Sequence, residues 1–132
     1  MMELPFLNES IIIRIHADEL KRYGGQDGIR DGNSLKSAIA MPLAGFGETF
    51  FHEYPFGMAA AYAFHIAENQ PFVDGNKRTG LAAALTFLEA CDITVEDPDS
   101  KLYQAMIDVG NHRLSKEGLS VSLKGLSNTD KK

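Results

Sequence analysis

Gln70-Pro71-Phe72-Val73-Asp74-Gly75-Asn76-Lys77-Arg78-Thr79 is the stretch on which the reading of this chain turns. It sets an acidic residue and a Gly-Asn turn directly before two cations, and from Leu81 the chain continues as a long apolar segment. A helix that starts after such a turn leaves its first N–H groups without intrahelical partners, at the positive end of its dipole. Acidic side chains suit that position. Lys77 and Arg78 do not, and they weaken the helix start unless an anion sits there. Helix N-termini bind phosphate readily, and Asp74 just upstream is placed to hold a divalent cation against the same anion. A nucleoside triphosphate with magnesium satisfies these features together. On spacing alone, the segment reads equally as a solvated turn carrying two surface cations.

Working outward, the spacing predicts a helix over 56–69, with Met58, Ala59, Tyr62 and Ile66 among the small residues Ala60, Ala63 and Ala67. A second predicted helix, over 76–90, is apolar nearly all round (Leu81 to Leu85, then Phe87 and Leu88), which marks it as the buried central element. Asn8 is a candidate N-cap for a helix carrying Ile11, Ile12, Ile15 and Leu20 and ending at Gly24-Gly25. Residues 28–32 read as a turn, and a short helix over 34–41 is stopped by Pro42. Residues 44–55, bounded by prolines and rich in Phe46, Phe50, Phe51 and Tyr54, read as extended or hairpin-like. Asp97-Pro98-Asp99 opens a helix with Leu102, Ala105, Met106 and Val109, closed by Gly110. A last helix follows Ser115, using Leu119, Leu123 and Leu126. The expected fold is an all-α domain over 1–126 with one small β-like insertion, followed by a polar, frayed tail over 127–132.

Bulk properties agree with one soluble domain. The chain has 132 residues, 44% of them hydrophobic and 23% charged, enough for one core and too few for two. Its net charge of −5 argues against nonspecific nucleic-acid binding, which needs a basic face. Cys91 is the single cysteine, so neither a disulfide framework nor a thiolate metal site is available, and its apolar context favours a buried structural thiol. No apolar run reaches membrane-spanning length and no leader pattern opens the chain, so a cytoplasmic location is expected. His16, His52, His65 and His112 lack zinc-site spacing. His65 sits on the helix before the loop, more than a turn from Gln70, and reads as structurally buried.

The Gln70–Thr79 stretch resembles the signature of the Fic/Doc family, His-Pro-Phe-x-(Asp/Glu)-Gly-Asn-(Gly/Lys)-Arg, and Lys77 with Thr79 resembles its death-on-curing (Doc) branch. Tyr23-Gly24-Gly25, Gly28-Ile29-Arg30-Asp31, Leu35 to Pro42 and the alanine-rich run from Ala59 follow the family in order, so the resemblance covers residues 3 to 126. It implies a Fic/Doc-type helical bundle around a buried central helix, with the insertion acting as a β-hairpin-like flap. It also implies ATP with Mg2+ as cofactors: Asp74 as the metal ligand, and Val73, Gly75, Asn76, Lys77 and Arg78 as the phosphate cradle. Arg30 and Asp31 are expected to pair and fix their turn.

The family's general base, its signature His, is here Gln70, whose amide takes up no proton at neutral pH. The resemblance thus implies a toxin of a toxin–antitoxin system, a transferase acting on a protein hydroxyl, impaired at position 70. Lys77 favours phosphorylation with translation elongation factor Tu as the suggested target, and AMP transfer is the alternative within the class. The 44–55 flap would dock the protein substrate. No internal inhibitory motif of the form (Ser/Thr)-x-x-x-Glu-(Gly/Asn) occurs, so an antitoxin is expected in trans. From a different class, a noncatalytic nucleotide- or protein-binding module also accommodates Gln70.

Overall fold

A computed structural model describes residues 3–128. Helix α1 (Glu9–Tyr23) starts where the Asn8 side chain accepts the Ile11 N–H, and it ends at Gly24. Helix α2 (Gly32–Ala40) begins at Gly32 rather than Ser34, because Asp31 is the N-cap and accepts the N–H groups of Asn33 and Ser34. Those bonds, Ser34 foremost, hold the Asp31 carboxyl below its ordinary range. Pro42 does not stop the winding outright; it is taken into a single 3-10 turn, Met41–Leu43. Strands β1 (Gly45–Phe46) and β2 (Thr49–Phe50) pair antiparallel, with Gly45 opposite Phe50 and Phe46 opposite Thr49. Helices α3 (Phe56–Asn69), α4 (Asn76–Ala90), α5 (Lys101–Gly110) and α6 (Lys116–Gly125) complete the order. Asp97 caps α5 from a distance, its two carboxylate oxygens accepting the N–H groups of Lys101 and Leu102.

The all-α bundle with a small hairpin is as the sequence implies, but the central helix is α3 rather than α4. Helix α3 buries Met58, Tyr62, Ile66 and its alanines, and packs against α2, α4, α5 and α6. Small side chains let neighbours close in on every side of it, which a run of leucines does not. Helix α4 keeps Leu81, Ala82 and Leu85 on the wall of an open groove shared with α1. Where α3 and α4 cross, a Cβ on Gly80 would stand 2.7 Å from the Ala63 carbonyl oxygen, so the approach depends on glycine.

Two peripheral features complete the frame. The hairpin reaches the core through Phe6, whose ring lies 5.7 Å from Phe50 and 5.9 Å from Phe87. Phe46 and Phe51 remain 84% and 69% exposed. At the C-terminal side Ser127 is fully buried and bridges Val95, while Asn128 exchanges hydrogen bonds with Thr94. Those two residues of the polar tail are therefore docked, contrary to the expectation of fraying. Residues 129–132 lie outside the described residues.

Candidate active site

Helix α3 ends at Asn69, and Gln70 turns the chain with left-handed backbone angles (φ 47°, ψ 57°). A residue with a Cβ enters that region at a cost of about 1–2 kcal/mol, so its surroundings must hold it there. Arg30 does so, donating from Nε to the Gln70 carbonyl at 2.6 Å and from Nη2 to the Asn69 carbonyl at 2.8 Å. The backbone beside it forms a short antiparallel strip with the loop. The N–H groups of Arg30 and Asp31 donate to Pro71 O, Val73 N–H donates to Gly28 O, and Ile29 bridges Phe72. Arg30 and Asp31 are thus not a pair; one clamps the loop and the other caps α2.

The second half of the loop is fixed by α1 and by its own side chains. Phe72 is buried, and the buried His16 of α1 stacks on its ring at 3.8 Å between centroids. His16 Nε2 lies 2.8 Å from the Asp74 carbonyl oxygen. A carbonyl only accepts, so Nε2 carries the proton. Asn76 folds back on Phe72, accepting its N–H at 3.0 Å and donating to its carbonyl at 2.9 Å. Gly75 adopts φ +77°, where a side chain would be strained. The Asp74 carboxylate accepts the N–H of Gln26 at 3.2 Å and of Gly75 at 3.1 Å. A Cβ on Gly25 would come within 3.1 Å of the same carboxylate.

What remains open is a cleft of about 340 Å³ lined by Gln70, Val73, Asp74, Gly75, Lys77 and Arg78, with Tyr23 and Tyr103 beside them. Among the described residues, the N–H groups of Asn76, Lys77 and Arg78 have no hydrogen-bond partner. The first backbone bond of α4 is Thr79 N–H to Gly75 O, at 2.9 Å. The Val73 and Gly75 amides of the expected cradle are already engaged inside the loop, which leaves those of Asn76, Lys77 and Arg78. Arg78 projects between Tyr23 and Tyr103, and the Lys77 stem lies along Gly110 at the end of α5. The predicted residues do converge on one cleft, with the Asn76 side chain committed to the loop and its backbone N–H free.

No imidazole lines this cleft among the described residues. His65 points to α6, with Nε2 3.1 Å from Lys116 Nζ. Burial pushes its pKa down to about 4, helped by the positive charge of Lys116 and by His52. Cys91 is half-buried rather than buried; burial raises its thiol pKa, and a hydrogen bond to the Tyr54 hydroxyl partly offsets this. Among the described residues, no group of three or more His, Cys, Asp or Glu is arranged to hold a metal. No helix among them is long and apolar enough to cross a membrane. Sequence reasoning missed Arg30 as the loop clamp and His16 as the loop support. Both act across more than 35 residues of chain, and neither carries a local signal.

The sequence model of the Fic/DOC family matches residues 6–88, a span that includes α1, the hairpin, the loop and most of α4. The chain belongs to the Fic/DOC family. It is also 41% identical over 66 residues to Toxin Doc of Mycolicibacterium smegmatis, a match covering 50% of this chain and 51% of that protein. The chain therefore spans about half the length of that relative.

The residues present fit the ATP and Mg2+ that the family implies. Free first-turn amides, two cations and a carboxylate held by backbone N–H groups converge on one opening. Magnesium is commonly held by one or two carboxylates together with substrate phosphates rather than by a protein cage, and Asp74 suits that role.

Proposed function

We propose that this chain is a Doc-like toxin, a Fic/DOC transferase whose cleft at the start of α4 binds Mg-ATP. One observation carries the reading: Asn76, Lys77 and Arg78, whose backbone N–H groups are unpartnered, line one cleft together with Asp74. Bound magnesium would neutralise charge on the phosphate oxygens. Arg78 and Lys77 would bind the nonbridging oxygens, stabilising the negative charge they carry as phosphoryl transfer proceeds. Asp74 would hold the metal, and Asn76 keeps the loop in shape.

In this reading a hydroxyl of a protein substrate attacks the γ-phosphorus, the bond to the β–γ bridging oxygen breaks, ADP leaves and the hydroxyl proton passes to water; elongation factor Tu is the suggested target. Gln70 stands where the family uses a base. Without a proton acceptor there, the rate falls by ~10²–10⁴, so the chain as it stands is impaired. The exposed Phe46 and Phe51 of the hairpin would grip the substrate protein. They share no lining residue with the cleft, so the grip would act away from the reacting atoms. An antitoxin would act in trans by laying a helix in the α1–α4 groove. That groove is lined by Ile15, Leu81 and Leu85 and leads to Arg78. The absence of an imidazole from the cleft equally suits a noncatalytic nucleotide-binding module.

Restoring the base separates these readings. Gln70→His should turn a tolerated chain into one that arrests bacterial growth, and adding Asp74→Ala should abolish the arrest. Normal growth of Gln70→His cells at matched protein level, with nucleotide still bound, would leave only the binding-module reading.

A further inference from the structure

Arg78 is held in an unusual way. Its guanidinium carbon stands over two aromatic rings, 3.8 Å from the Tyr23 centroid and 4.2 Å from the Tyr103 centroid. The three residues come from three helices: Tyr23 ends α1, Arg78 lies in the first turn of α4, and Tyr103 lies near the start of α5. Among the described residues, no carboxylate stands within ion-pair distance of the guanidinium. Among the described residues, Arg78 makes no hydrogen bond from its guanidinium and no ion pair within 4.0 Å; the one such pair is Arg22 with Asp18, at 3.1 Å. Glu19 is the acidic group that feels Arg78, yet burial dominates the Glu19 carboxyl and raises its pKa, with Arg78 the weakest influence on it.

The chemistry of such a slot is specific. A carboxylate partner would occupy the guanidinium donors and compete with an incoming phosphate. An aromatic face attracts the cation through its quadrupole and takes no N–H hydrogen bond in the guanidinium plane. Tyr23 and Tyr103 also line both the cleft and the α1–α4 groove, so they form the wall on which Arg78 rests. A planar, delocalised cation suits this slot. A lysine ammonium, compact and strongly hydrated, does not.

We propose that Tyr23 and Tyr103 are positioning residues, an aromatic clamp that holds the Arg78 guanidinium toward the cleft with its donors free for a phosphate anion. The inference rests on the phosphate-binding reading above and adds to it the means by which the arginine is held.

The test titrates inorganic pyrophosphate into the intact protein by calorimetry, and follows the Arg78 Nε–H resonance by NMR. Tyr23→Phe and Tyr103→Phe keep the ring face and should bind within about twofold of wild type. Tyr23→Leu and Tyr103→Leu should each weaken binding by about two- to fivefold and move the Arg78 Nε–H resonance away from its ring-shifted position. Arg78→Lys, which leaves both rings untouched and keeps the charge, should also weaken binding by about two- to fivefold, less than Arg78→Ala. If the leucine variants bind like wild type while Arg78→Ala loses binding, the clamp is refuted and the phosphate site stands. The same holds if Arg78→Lys binds like wild type, whether or not the leucine variants fold. If wild type itself binds no pyrophosphate, both the clamp and the site are refuted.

Discussion

Replacing Asn76 by alanine tests whether this signature residue builds the loop or holds the ligand. Its side chain makes two hydrogen bonds, both to the backbone of Phe72, at 3.0 and 2.9 Å. Phe72 is only 1% exposed, so water has little access to the N–H and carbonyl left behind. Each bond contributes about 1 kcal/mol net, and a stranded buried donor adds to the loss, so Asn76→Ala should cost about 2–3 kcal/mol. For a domain of this size, about 4 °C of melting temperature per kcal/mol predicts a fall of roughly 8–12 °C. Asn76→Asp keeps the acceptor, loses the donor and adds a negative charge at the start of α4, which offsets about 0.3–1 kcal/mol. Its second carboxylate oxygen would face the Phe72 carbonyl where the amide nitrogen stood at 2.9 Å, so this variant should also melt below wild type. Thermal and urea unfolding followed by circular dichroism measures all three proteins. An alanine variant that melts with wild type yet no longer binds phosphate would refute this reasoning and make Asn76 a ligand residue.

Two further outcomes follow from contacts elsewhere in the fold. Gly25→Ala places a Cβ 2.9 Å from Leu20 Cδ2 and 3.1 Å from Asp74 Oδ2 at φ +121°. It should reduce the magnesium-dependent part of nucleotide affinity more than the magnesium-free part, as titrations with and without the metal would show. His65 has a folded pKa of about 4 against ~6.5 in the unfolded chain, so the unfolded state takes up its proton first as pH falls. The stability this group confers is full above ~6.5 and declines down to about 4. Allowing for solvent screening at a half-buried site, the loss is about 1–2 kcal/mol. His65→Gln should flatten that part of the stability profile, read as the difference in urea midpoint between neutral pH and about pH 4.

Much of the architecture was legible because it is written in local chemistry. Asn8, Ser115 and the paired glycines after Tyr23 mark helix ends through backbone groups a few residues away. The 56–69 and 76–90 helices stand where their apolar spacing placed them. The rank of those two helices was not legible. Apolar content does not say which helix has neighbours on every side, and α3 won through small side chains rather than large ones. Asp31 as a cap was hidden by the expectation of an ion pair with Arg30. The loop signature placed Asp74, Lys77 and Arg78 on one cleft, yet the parts that hold it came from elsewhere in the chain. Arg30, His16 and the two tyrosines reach the site only through tertiary packing.

If the start of α4 is a nucleotide phosphate site, Arg78 and Asp74 must govern its affinity for Mg-ATP. Calorimetric titration of Mg-ATP into wild type, Arg78→Ala and Asp74→Ala tests it most directly. Wild type should give a one-site isotherm, Arg78→Ala a loss of about tenfold or more in affinity, and Asp74→Ala a loss that vanishes when magnesium is withheld. Equal affinity in wild type and Arg78→Ala, or no binding by wild type at all, would contradict it.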